Sequence, residues 1–132
     1  MYGYHRKVLI INLSTESVSC EPLSKRVLKH FIGGIGLGTY LLYKHCPEKI
    51  SGLDPRNPII FVTSPLVGTR LTTSSKFAVV TKSPLTGFIG DSLSSSFLAT
   101  EIKKTGYDAL VIKGKCNKLT LLSITEKGVE FL

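Results

Sequence analysis

Between residues 63 and 86 the chain sets Thr63, Thr69, Arg70, Thr72, Thr73, Ser74, Ser75, Lys76, Thr81, Lys82, Ser83 and Thr86 close together, with no acid among them. Hydroxyls and backbone N–H groups bond oxygens, while Lys and Arg supply charge, so this set suits a polyoxygenated anion. Ser92 and Ser94–Ser96 follow and are expected to open a helix, whose free N–H groups are donors of the kind anions use. The competing reading is ordinary turn chemistry with a solvated face.

The hydroxyls are organised around an echo. "TSPLVGTR" at 63–70 returns nineteen positions later as "TKSPLTGFIG" at 81–90, and both copies hold Ser-Pro-Leu-x-Gly. Pro presets φ for a tight turn, Ser accepts a neighbouring N–H, and Gly permits positive φ. Both copies follow strand-like runs, so both loops are expected at the same edge of one sheet.

Little else in the sequence is reactive. His5, His30 and His45 pair with no His or acid at metal-ligand spacing. Cys20, Cys46 and Cys116 are widely spaced and odd in number, which reads as free thiols in a reducing compartment. "GGIGLG" at 33–38 follows a helix rather than a strand, so it is not a dinucleotide fingerprint. Asp91, Glu101 and Asp108 stand apart and are each explained by capping or helix charge. The sequence offers a cradle rather than a reactive centre.

Charge agrees with a cradle for anions. The net charge is +8, and from Arg70 to Lys118 eight basic residues face three acids. Nonspecific nucleic-acid binding is disfavoured because exposed aromatics do not alternate with the basic residues. The apolar runs "VLIINL" and "PIIFV" fall far short of the roughly 20 residues that span a bilayer. The N-terminus has no signal-peptide form, so a cytoplasmic protein without a membrane anchor is expected.

The elements that must position these residues follow from periodicity. A strand over 6–13 and an alternating strand around Val18 and Cys20 form a hairpin. Ser24 caps a helix that ends at Gly33 and Gly34, and a second helix runs over 36–46. "IIFVT" at 59–63 and 76–83 read as strands, and 94–106 as a third helix. "YDALVIKG" is a strand, and "KLTLLSITEKGVEFL" a hairpin turned at "TEKG". The expected fold is α+β, a mixed or antiparallel sheet with about three helices in the order β-β-α-α-β-β-α-β-β-β. The helices are expected on one side of it.

Five stretches together carry a resemblance: "KVLIINLSTESV", "FIGGIGLGTYLLYK", "NPIIFVTSPLVGT", "KFAVVTKSPLTGFIGDS" and "KKTGYDALVIKGK". In this order and spacing the chain resembles the N-terminal domain of the aldehyde ferredoxin oxidoreductases. The resemblance covers essentially all of 1–132, read as a single partial domain matching the N-terminal half of the family's pterin-binding domain. It implies an oxidoreductase that converts aldehydes to carboxylates and passes electrons to ferredoxin. It implies a tungstopterin cofactor (a bis-pterin carrying W or Mo). The [4Fe–4S] cluster would lie in parts of the family architecture that this chain lacks.

By resemblance the cofactor-binding positions are Lys76, Leu93 and Ser95, with no catalytic residue and no metal ligand in this chain. Lys76 stands where the family usually has Arg; it keeps the charge but not the planar fork. Leu93 replaces a usual Asn, and Ser95 and Ser96 replace glycines. The implied partners are a helical-domain subunit carrying the cluster, ferredoxin through the complete enzyme, and a second copy through an exposed sheet edge. The alternative function is a non-catalytic remnant, a scaffold or binding module that has lost the cofactor.

Overall fold

The computed structural model describes residues 1–132. Its centre is a six-stranded sheet in the order β2-β1-β6-β3-β4-β5. The strands are β1 (Lys7–Asn12), β2 (Ser17–Pro22), β3 (Ile59–Val62), β4 (Lys76–Lys82), β5 (Ile89–Ser95) and β6 (Ala109–Lys113). β1 and β6 run parallel, and every other neighbouring pair is antiparallel. A separate two-stranded hairpin, β7 (Leu122–Thr125) and β8 (Gly128–Phe131), turns at Glu126–Lys127. The fold is α+β, as the sequence implies.

The continuous apolar runs are interior strands because both of their faces are covered. Val8 and Ile10 of β1 join Ile60, Val62, Ala78, Val80, Ala109 and Val111 under α1 (Lys25–Phe31) and α2 (Gly34–His45). Leu9 and Ile11 point the other way, onto Ile102 of α3 (Phe97–Lys104) and toward Ile124, Val129 and Phe131 of the hairpin. The helices therefore lie on both sides of the sheet, not gathered on one. The reason is the unbroken apolar character of β1 and β6, which leaves no face that could stay wet.

β5 is a strand beyond those expected from the sequence. Among its residues only Ile89 and Leu93 are large and apolar, and nearly all of it is exposed, so it carries no alternation to read. It forms because it pairs along the whole of β4, from Lys76↔Ser95 to Lys82↔Ile89. The serines at 92–95 therefore belong to an edge strand rather than to a helix start. Only Ser96 caps α3, its Oγ accepting the Leu98 N–H at 3.1 Å.

The glycines of "GGIGLG" are packing devices. A Cβ on Gly38 would stand 2.5 Å from Val80 Cγ2, and one on Gly33 2.8 Å from the Thr63 carbonyl oxygen. Their absence lets α2 lie directly on β3 and β4. Gly34 N–H donates to that same Thr63 oxygen at 3.0 Å, so the start of α2 is tied to the end of β3. Leu37 and Leu41, both buried, then fill the interface; truncating either to Ala costs about 2–5 kcal/mol. No helix is long and apolar enough to cross a membrane.

Candidate functional site

The two Ser-Pro-Leu-x-Gly loops do not share an edge. β3 and β4 are antiparallel, with Ile60↔Val80 and Val62↔Ala78 in register, so the loops that leave them emerge at opposite ends of the sheet. This separates the hydroxyls into two sets. Thr69, Thr73, Ser74, Ser75 and Lys76 lie at one end; Thr81, Lys82, Ser83 and Thr86 lie at the other.

The second set is mostly structural. Thr81 Oγ1 donates to the Pro58 carbonyl at 2.8 Å, and Lys82 Nζ to the Ile50 carbonyl at 2.7 Å. Thr63, before the first loop, is also structural: it is buried and donates through Oγ1 to the Asp108 carbonyl at 3.1 Å.

The first set borders a cavity of about 740 Å³ that includes Lys76 and Ser95 among its lining residues. These two face each other directly across the β4–β5 ladder. The segment before β4 folds back on the start of α3 to close the cavity floor. Ser75 Oγ donates to the Ser96 carbonyl at 2.7 Å and lies 3.1 Å from Thr100 Oγ1, while Ser96 N–H donates to the Ser75 carbonyl at 3.2 Å. Thr73, on the rim, has a φ of 58°, a left-handed conformation unusual for a β-branched residue. Phe97, 90% exposed, supplies an apolar wall.

Of the three residues expected to bind cofactor, Lys76 and Ser95 are brought together. Lys76 is exposed and takes no part in any ion pair. Leu93 lies two residues along β5, opposite Ala78, on the same face as Ser95 but outside the lining of the cavity. Phe97 and Thr100, by contrast, line it without having been expected. They come from α3, and nothing in the local sequence says that α3 returns beside β4.

Asp108 is not the isolated acid that the sequence suggests. It is buried and ion-paired with Lys103, Oδ1 accepting from Nζ at 2.6 Å. The same carboxylate accepts the His5 N–H at 3.2 Å and the Arg6 N–H at 2.6 Å, which pins the N-terminal segment. The ring of Tyr4 covers the ammonium, its centroid 5.7 Å from Nζ. Burial, reinforced by Asp108, pushes the Tyr4 phenol above its usual range, so it stays protonated.

The histidines and cysteines stand elsewhere. His45 is buried at the end of α2, with Nε2 unpartnered and 3.7 Å from Glu21 Oε2. A helix C-terminus favours a cation, but here burial prevails and pushes the imidazole below its ordinary range. Burial also raises the Cys46 thiol. His30 Nδ1 is 2.9 Å from the Arg26 carbonyl oxygen. Cys20, Cys46 and Cys116 are all unbridged.

The fold is thus an α+β sheet that carries, at one end, a hydroxyl-rich cavity with an unpaired lysine and no carboxylate in its lining. Residues 8–132 match the aldehyde ferredoxin oxidoreductase N-terminal domain, and the chain belongs to that family. It is 37% identical over 130 residues to the tungsten-containing aldehyde ferredoxin oxidoreductase of Pyrococcus horikoshii, covering 98% of this chain and 21% of that protein. It is 40% identical over 133 residues to the aliphatic sulfonate oxidoreductase, WOR-like subunit, of Pyrococcus furiosus, with 98% and 21% covered. Its fold matches a chain of the active site complex BamBC of benzoyl coenzyme A reductase, solved with 1,5-dienoyl-CoA. The TM-score is 0.92 at 30% identity, over 98% of this chain and 20% of that one. The chain thus spans about one fifth of the length of the relatives it matches.

Proposed function

We propose that this chain seats the pterin cofactor of a tungsten oxidoreductase of the aldehyde ferredoxin oxidoreductase type, as one partial domain spanning 1–132. The observation that carries this reading is the cavity at the β4–β5 end, where an unpaired Lys76 faces Ser95 and no carboxylate lines the wall. The donor set fits a phosphate-bearing pterin. Lys76 would hold an anionic oxygen, and Ser95 and Thr73 would offer hydroxyls to further oxygens. Phe97 would give the flat ring an apolar surface.

When bound, a tungsten or molybdenum bis-pterin would supply two-electron oxidation of an aldehyde to a carboxylate. This chain's own residues bind and orient; they hold no proton at a reacting atom. A [4Fe–4S] cluster, the catalytic groups and the contact with ferredoxin would come from helical parts outside residues 1–132, whether in the same polypeptide or in a partner. β5, with its outer edge unpaired, is the natural seam for that partner or for a second copy.

The test is to purify the chain with its helical partner from cells supplied with tungstate. Bound pterin is then measured by the fluorescence of its oxidised form, and metal by elemental analysis. Pterin and metal are expected near one complex equivalent, falling at least roughly tenfold in Lys76→Glu, where a repulsive charge replaces an attractive one. A wild-type complex free of pterin sinks the reading. One observation favours the alternative of a scaffold that has lost the cofactor: Leu93 is 63% exposed and apolar on the face it shares with Ser95, which suits a protein contact better than a polar ligand. A pterin-free complex that still assembles would establish that alternative.

A further inference from the structure

A second cavity of about 480 Å³ adjoins the first. Gly68, Thr69 and Thr100 line both, so the two form one trough that bends around the end of the first loop and the side of α3. The far part is lined by Tyr4, His5, Lys103 and Lys104, and again no Asp or Glu reaches its wall.

Lys103 is the unusual member. Its side chain is only 10% exposed, yet its ammonium has one hydrogen-bond acceptor, Asp108 Oδ1 at 2.6 Å. An ammonium carries three N–H donors, so two are left for the Tyr4 ring and for the cavity. A nearly buried donor without an acceptor is costly, and a water or an anion must serve it. The Asp108 charge is offset by the Lys103 ammonium it is paired with, so the excess charge facing an incoming anion comes from the other basic residues of the lining. Both of its oxygens are turned to the N-terminal segment and Lys103, and Asp108 does not line the cavity. Thr69 and Thr100 add hydroxyls at the bend, and His5, exposed at the mouth, adds a ring N–H donor.

We infer that this second cavity is a phosphate subsite built on Lys103, His5 and Thr100. It takes a phosphate group that is either free or carried on the end of an extended ligand whose body lies in the first cavity. For a free phosphate the inference is independent of the pterin reading; for an extended ligand it rests on that reading's cavity, which meets this one at Gly68, Thr69 and Thr100.

The test is a titration of the ¹⁵N-labelled chain with inorganic phosphate, and separately with ADP as a phosphate on a bulky stem, followed by amide shifts. Saturable shifts are expected at His5, Thr69 and Thr100 with either probe. Movement of Ser95 and Phe97 with ADP alone would identify the extended source; their silence with both probes would identify the free one. Two variants are expected to weaken phosphate binding by roughly tenfold, the worth of one charge-assisted hydrogen bond. They are His5→Glu, a surface change that the fold tolerates, and the double variant Lys103→Gln with Asp108→Asn, which leaves neither charge stranded. The proposal is overturned if phosphate moves only Lys76 and Ser95, if shifts spread evenly over all surface lysines and vanish with sodium chloride, or if His5→Glu binds like wild type.

Discussion

The loops at 64–68 and 83–87 are built on one plan and meet two fates. Ser64 Oγ accepts the Leu66 N–H at 3.3 Å, and Ser83 Oγ accepts the Thr86 N–H at the same distance. Gly68 and Gly87 both take positive φ, 80° and 74°. Yet the x residue of the first loop, Val67, is 3% exposed and packs with Phe77 and Ala99 beneath α3. In the second loop Thr86 is exposed, Leu85 is 92% exposed and Phe88 76%. The shared motif encodes a turn. What the turn becomes is decided by one side chain and by the element that covers it: the first loop walls a cavity, and the second presents apolar residues to solvent.

The anchors below the loops differ as well, and breaking them should give the largest effects. The first loop hangs from position 108: the Asp108 backbone oxygen accepts Thr63 N–H and Oγ1, while its side chain pairs with buried Lys103. Asp108→Ala strands that ammonium and should cost about 3–5 kcal/mol in urea unfolding. The second loop hangs from Asn57, which donates to the Gly52 and Lys82 carbonyls at 2.8 and 3.0 Å and accepts the Lys82 N–H at 3.3 Å. Asn57→Ala leaves neutral groups unpaired near the surface and should cost only about 1–3 kcal/mol. Equal losses would mean that the two ends are held alike.

A reciprocal exchange tests the loops themselves. Val67→Thr puts a hydroxyl into the apolar cluster under α3 and should cost about 1–3 kcal/mol. Thr86→Val changes an exposed side chain and should stay within about 0.5 kcal/mol of wild type. If both are neutral, Val67 is not what fixes the first loop, and the motif alone must do so.

How much of this could be read from the chain depends on where each residue's partners lie. β1, β3 and β6 were legible because burial on both faces writes an unbroken apolar run. Ser24 was legible as a cap because capping is local; its Oγ accepts the Val27 N–H at 3.2 Å. β5 was not, since an edge strand held by backbone pairing to β4 needs almost no apolar side chains. The placement of α3 was not, because a run buried on both faces does not say which helix covers which. In the site, Lys76 and Ser95 already belong to the acid-free hydroxyl and cation pattern, the family resemblance singles them out, and their pairing follows from the register of β5. Phe97, Thr100 and the Lys103–Asp108 pair depend on tertiary return, which no local pattern records.

The smallest expected effect concerns pH, and it too should separate the two ends. His45 directly precedes Cys46, whose thiol sulfur lies 3.8 Å from Asn57 Oδ1, the anchor of the second loop. In the folded chain burial holds the imidazole below its ordinary value; Glu21 opposes this, and Lys44 and Lys113 add to it. The unfolded chain takes up a proton near 6.5, where the folded chain does not yet bind one. A depressed folded value therefore stabilises the fold above the unfolded pKa, and that stability drains away as pH falls from there toward the folded pKa. The urea midpoint should drop on acidification below about 6.5 in wild type and drop less in His45→Gln. Amide protection, corrected for intrinsic exchange, should weaken first at Lys82 and last at Thr63. Thr63 is tied instead to Asp108, its N–H donating to the Asp108 carbonyl oxygen at 3.0 Å. Simultaneous loss at both amides would show that the molecule opens as one unit, and the contrast between its ends would then be one of contacts rather than of local stability.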